Sequence, residues 1–176
     1  MRRPVRLSLL FLTGLCLTSA LTALLLPGGS ELRLTPIAGG EPVLICHLQP
    51  GERFTLRYIH SVNHRPIWEE HSVDEKGRIF IEEERFMSFS AGMGHWQGHG
   101  RLVNRGEHQV IEGIHKPIGQ FILRVGSPGV DHSIIWRGLE FNLSRVAAGE
   151  ALLVRAQNIS LLEQAWRRFF RHPQMT

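Results

Sequence analysis

The stretch Tyr58-Ile-His60-Ser61-Val-Asn63-His64, followed by Trp68-Glu69-Glu70-His71, is the densest group of proton-transferring side chains in the chain. Hydrolysis is the first chemistry to test there, with Ser61 as nucleophile and a histidine as base. His60 is the wrong base, because neighbouring strand residues point to opposite faces. The sequence also lacks a Gly-x-Ser-x-Gly turn: its nearest approach, Ser88-Phe-Ser90-Ala-Gly92, is missing the first glycine. Glu69 is the sharper candidate. Ile67, Glu69, His71 and Val73 share one strand face, so if Ile67 and Val73 point inward, Glu69 is a partly buried carboxylate that needs a partner. Arg57 or His60 on the preceding strand could supply it. Such a contact would either fix the hairpin register or leave Glu69 to bind a ligand.

Ten histidines raise the question of a metal, since neutral imidazole ligates zinc, copper and nickel. The best local spacing is His95-Trp-Gln-Gly-His99, and a third ligand would come from His60, His71 or His108. No Cys pair or His-Glu-x-x-His motif supports it, and no cofactor is implied. Phe86-Met-Ser-Phe-Ser90-Ala-Gly92-Met-Gly94 leaves a strand for a glycine-rich loop, in which Ser90 and Gly92 could cover a site or touch a partner. No Lys-Ser/Thr pair follows, so it does not read as a phosphate cradle.

The elements that must position these residues are short strands. Phe54, Leu56 and Tyr58 alternate with Thr55 and Arg57, the two-residue period of a half-buried strand over 53–60. Further strands are expected at 32–35, 43–48, 67–73, 78–85, 109–112, 121–125, 133–136, 139–143 and 151–156, separated by turns such as Pro50-Gly51, Lys76-Gly77 and Asn104-Arg105-Gly106. Many short strands without a helical period between them predict an all-β fold, a sandwich in preference to a partly open barrel. At the C-terminus (158–176), Leu162, Ala165, Trp166, Phe169 and Phe170 share a helical face opposite Arg167, Arg168 and Arg171, and Ser160 with Glu163 forms a capping box. This short amphipathic helix either packs across the open end of the sheet or lies on an anionic membrane surface.

At the other end, Arg2, Arg3 and Arg6 in the n-region 1–6 precede an uncharged run over 7–26 that contains ten leucines. At ~1.5 Å per residue such a run spans ~30 Å, one hydrocarbon core. It predicts a transmembrane anchor with the N-terminus cytoplasmic and the main domain periplasmic, on the bacterial inner membrane. The alternative is a secreted periplasmic protein after signal cleavage, for which Thr18 and Ala20 provide small residues. Residues 27–30 then form a linker and 31–157 a single β domain. Cys16 and Cys46 are the two cysteines, and Cys46, in Pro-Val-Leu-Ile-Cys-His, reads as a small buried hydrophobe.

The net charge is +4. Three of the arginines that carry it precede the apolar run and three lie in the last ten residues; without those six, the basic side chains are outnumbered by the 16 acidic ones. A broad basic face for nucleic acid is therefore excluded, and 43% hydrophobic composition excludes disorder.

Three motifs in order, Tyr58-Ile-His60-Ser61-Val62, Pro66-Ile67-Trp68-Glu69 and Phe86-Met-Ser-Phe-Ser90-Ala-Gly92-Met93, resemble a family of small bacterial membrane-anchored domains of unknown function, the 1850 domain of unknown function. The family pattern has Gly where this chain has Ser90, and Pro where it has Gly94. The resemblance implies association with tripartite ATP-independent periplasmic (TRAP) transporters of the TAXI subclass, with a permease or solute-binding subunit as partner. It implies no reaction. The first expectation is thus a membrane-anchored accessory protein of such a transporter, with Tyr58, His60, Ser61, Glu69, Ser90 and Gly92 as its binding surface. A periplasmic ligand or metal sensor using the His-rich loops is the alternative, and an enzyme comes third.

Overall fold

The computed structural model describes residues 12–19, 21, 22, 24, 26–87 and 99–170. Among the described residues, eleven strands form two open antiparallel sheets. The four-stranded sheet has the order β2-β1-β11-β8, built from β1 (Pro27–Pro36), β2 (Leu44–Leu48), β8 (Phe121–Arg124) and β11 (Ala151–Ser160). The seven-stranded sheet has the order β10-β9-β3-β4-β5-β7-β6. Its strands are β3 (Arg53–Ile59), β4 (Pro66–Val73), β5 (Ile79–Phe86), β6 (Arg101–Arg105), β7 (His108–Pro117), β9 (Ser133–Trp136) and β10 (Leu139–Asn142). Two short helices, α1 (Leu143–Val146) and α2 (Leu161–Phe170), accompany the sheets, and residues 12–19 are also helical.

The alternation read from the sequence is what makes the sandwich. Leu32, Leu34, Cys46, Leu152 and Val154 from the smaller sheet meet Phe54, Leu56, Ile134 and Trp136 from the larger one in a single core. A second, smaller core of Ile67, Phe86 and Ile111 draws only on the seven-stranded sheet. Tyr58 packs against both. The partly open barrel is corrected: neither sheet closes, because β2, β8, β10 and β6 each remain at an edge.

The anchor is corrected as well. Among the described residues no helix is long and apolar enough to cross a membrane. The transmembrane helix and the single-pass inner-membrane topology expected from the sequence are corrected by this finding. Within the helical residues 12–19, Thr18 Oγ1 donates to the Gly14 and Leu15 carbonyls at 3.0 and 2.9 Å.

Two elements differ from the sequence reading for reasons of long-range pairing. β1 begins at Pro27, in the stretch read as a linker, because β11 offers it a ladder with Pro27 opposite Ser160 and Ser30 opposite Asn158. Gly28 is required there: a Cβ would lie 2.6 Å from the Ser160 carbonyl oxygen. β6 has no counterpart in the sequence reading, since Arg101-Leu-Val-Asn-Arg105 has no alternation. As an edge strand it pairs only with β7, and Arg101 and Arg105 both bind Glu112.

The C-terminal helix starts at Leu161, where Ser160 Oγ accepts the Glu163 N–H at 3.1 Å. It packs against β1 and β11, and Leu162 and Trp166 are exposed.

Candidate functional site

The β3–β4 hairpin holds most of the residues singled out in the sequence, but its turn and its ladder treat them differently. His60 and Ser61 lie beyond the last paired residues, Ile59 and Pro66. The turn is closed by backbone bonds from His60 N–H to Arg65 O (2.9 Å) and from His64 N–H to His60 O (3.0 Å), with His64 in the left-handed region at φ 52°. His60 Nδ1 accepts the Val62 N–H at 3.2 Å, an interaction that shapes the turn. His60 and Ser61 thus belong to the turn, not to the ladder that carries Glu69. Glu69 stands opposite Leu56, and its carboxylate accepts a hydrogen bond from Tyr58 Oη at 2.9 Å. Arg57 points the other way, as the period of two requires, and binds Asp131 and Glu140 at 2.5 and 2.9 Å.

Glu69 also faces Glu84 directly across β4 and β5. His99 Nε2 lies 3.8 Å from Glu84, and His71 Nε2 lies 4.0 Å from Glu69. Burial, reinforced by the Glu84 charge and only partly offset by the Tyr58 hydrogen bond, pushes the Glu69 carboxyl up to about 7. Burial also raises Glu84, against the influence of His99. Beside them His71 is stacked between Phe54 and Phe121, with ring centroids at 5.1 and 5.8 Å. Burial lowers it to about 4, and it is neutral. Because its partner at 3.0 Å is the Glu69 carbonyl, which only accepts, Nδ1 carries the proton. This row can hold a proton near neutrality beneath a tyrosine hydroxyl. Ser90, Gly92 and His95 lie outside the described residues. Among the described residues no group of three or more His, Cys, Asp and Glu is placed to hold a metal ion.

The other face of the same sheet carries a constellation that the sequence did not suggest. β5 is irregular on both sides, its register shifting against β4 between Glu70 and His71 and against β7 between Ile81 and Glu83. Glu82 is the residue this irregularity leaves unpaired in the ladder. Its carboxylate receives the Ser72 hydroxyl and lies 3.1 Å, through both oxygens, from His115 Nδ1. His115, at φ 39°, stacks on Phe80 at 4.8 Å, and the Arg78 guanidinium sits 5.5 Å from the same ring. These side chains and Arg53 line an open cleft of about 590 Å³.

Burial works to raise Glu82, but its bonds to Ser72 and His115 outweigh it and hold the carboxyl below its usual range. An ionised Glu82 accepting from Nδ1–H leaves His115 Nε2 as the open position of an oriented imidazole. The Glu82 side chain is 12% exposed, whereas that of His115 is 70% exposed. A fixed carboxylate thus holds an accessible ring at the cleft. The sequence signal for it was slight: His115 is one of ten histidines, and the bulge that frees Glu82 has no local signature.

An open two-sheet β domain with polar constellations on the larger sheet defines the class of this protein, but no reaction. Residues 54–143, about half of the chain, match the family described as Domain of unknown function (DUF1850), and the chain belongs to that family. The matched segment contains most of the seven-stranded sheet, with Tyr58, Glu69, Glu82, Glu84 and His115 inside it. No curated protein and no solved structure matches the chain.

Proposed function

We propose that this chain is an exported, periplasmic ligand-binding domain of the sensor type, and that its ligand occupies the cleft lined by Arg53, Ser72, Arg78, Phe80, Glu82 and His115. The observation that carries this reading is the Glu82-oriented imidazole opening on a cleft of about 590 Å³, within the size range of small-molecule sites. The basic n-region and apolar run of the sequence support export. A sensor needs a receiver. On the family resemblance we assign that role to a TRAP permease or solute-binding subunit, which crosslinking of the exported domain in cells identifies or rejects.

The binding reading is tested by NMR titration of the protein with a chemically diverse fragment set. Shifts should cluster at Ser72, Phe80 and His115 and be lost in His115→Ala. Shifts that cluster elsewhere, or nowhere, overturn it.

A further inference from the structure

Both signs of charge meet in this cleft, and they differ in how firmly they are held. Arg53 pairs with Glu70 at 2.6 Å and Arg78 with Asp74 at 2.7 Å, and both guanidinium side chains are more than half exposed. Exposed pairs of this kind contribute little, so either arginine can turn to a ligand at little cost. The negative side is fixed. Glu82 is nearly buried and held by Ser72 and His115, and the Asp74 carboxylate is engaged by the Lys76 and Arg78 backbone N–H groups at 2.9 and 2.8 Å. Glu75 adds a further negative charge to the lining.

A ligand bearing only negative charge would gain the arginines but meet Asp74, Glu75 and Glu82. One bearing only positive charge would meet two guanidinium groups. At equal distance each like-charge contact costs as much as an attractive contact returns. A ligand with both charges avoids that cancellation.

Resting on the reading of this cleft as the binding site, we propose that its ligand is a small zwitterion carrying one ammonium and one carboxylate, of the amino-acid type. The carboxylate is taken by the fork of Arg78, with Arg53 beside it. In the tautomer whose Nδ1–H is committed to Glu82, His115 Nε2 accepts from the ammonium. The Phe80 ring is 8% exposed beneath His115 and Arg78, which leaves little apolar surface for a large side chain and favours a small ligand.

The test uses three charge forms of the same probes in NMR titrations of the His115 ring and the arginine guanidinium signals: L-alanine and L-serine, their N-acetyl derivatives, which lack the ammonium, and their amides, which lack the carboxylate. The zwitterions should shift these signals saturably, and each blocked form should bind at least tenfold more weakly. Arg78→Ala and His115→Ala, both at exposed side chains, should each weaken the zwitterion at least tenfold while the melting temperature is maintained. Blocked forms that bind as well as the parents overturn the zwitterion and leave the cleft as the site. The same follows if the zwitterions are silent while uncharged fragments still shift the cleft. If neither zwitterions nor fragments perturb it, both readings fail together.

Discussion

Glu69 is a residue whose environment overrides its composition. A glutamate at an alternating strand position is ordinarily ionised at neutral pH, yet burial and the facing Glu84 lift this one to about 7. The sign of the linkage follows. A carboxyl that binds its proton more tightly in the fold than its ordinary value of 4.5 stabilises the protein below that pH, and the contribution is lost as pH rises through about 7. Glu69→Gln keeps an acceptor for Tyr58 and removes the charge. Urea unfolding midpoints should therefore fall less between about pH 5 and 7 in the variant, with a gain of up to ~3 kcal/mol at pH ~8. His71 has the opposite sign: lowered from 6.5 to about 4, it contributes stability that is lost as pH falls through that window, in wild type and variant alike. An unchanged alkaline limb in Glu69→Gln would refute the assignment. That Glu69 needed a partner was legible from Ile67 and Val73 around it. That the partner is Tyr58, and not Arg57 or His60, depended on the register of β3 against β4.

Among the elements, the corner before β3 shows how one side chain joins segments distant in sequence. Glu52 accepts from the Gln49 N–H at 2.8 Å, from Trp136 Nε1 at 3.0 Å and from Arg137 through both carboxylate oxygens at 2.6 and 3.0 Å. Arg137 in turn lies 4.4 Å from the Trp136 ring. Trp136 is a core residue at 3% exposure, so this carboxylate is what satisfies its indole N–H. Glu52→Ala should cost about 1–3 kcal/mol in chemical denaturation and alter tryptophan fluorescence, while Glu52→Gln should retain part of the bond. Unaltered stability in the alanine variant would show that the clamp is dispensable. The strand at 53–60 was legible from its alternation, whereas this clamp was not, because it spans more than eighty residues. The same holds for β6, which exists as a strand because β7 offers it hydrogen bonds.

At the scale of the whole molecule, the two sheets share one principal core, and that core joins the larger sheet to the smaller one. Leu34 is fully buried between them. Leu34→Ala should cost about 2–5 kcal/mol and lower the melting temperature cooperatively, with loss of ligand response in step with unfolding. Separate transitions for the two sheets would mean that they fold independently. The amino-acid sequence by itself determined that the chain is mostly β, since a period of two is a local property written in each segment, and it located most strands and the hairpin that carries Tyr58 and Glu69. The tertiary structure decided which charges meet. It set Glu69 against Glu84, turned Arg57 towards Asp131, left Glu82 free at a bulge to orient His115, and showed no membrane-spanning helix among the described residues where the apolar run had suggested one. The physical reason is that side-chain partners across a sheet are fixed by register and bulges, which arise from contacts between distant segments and have no counterpart in the order of neighbouring residues.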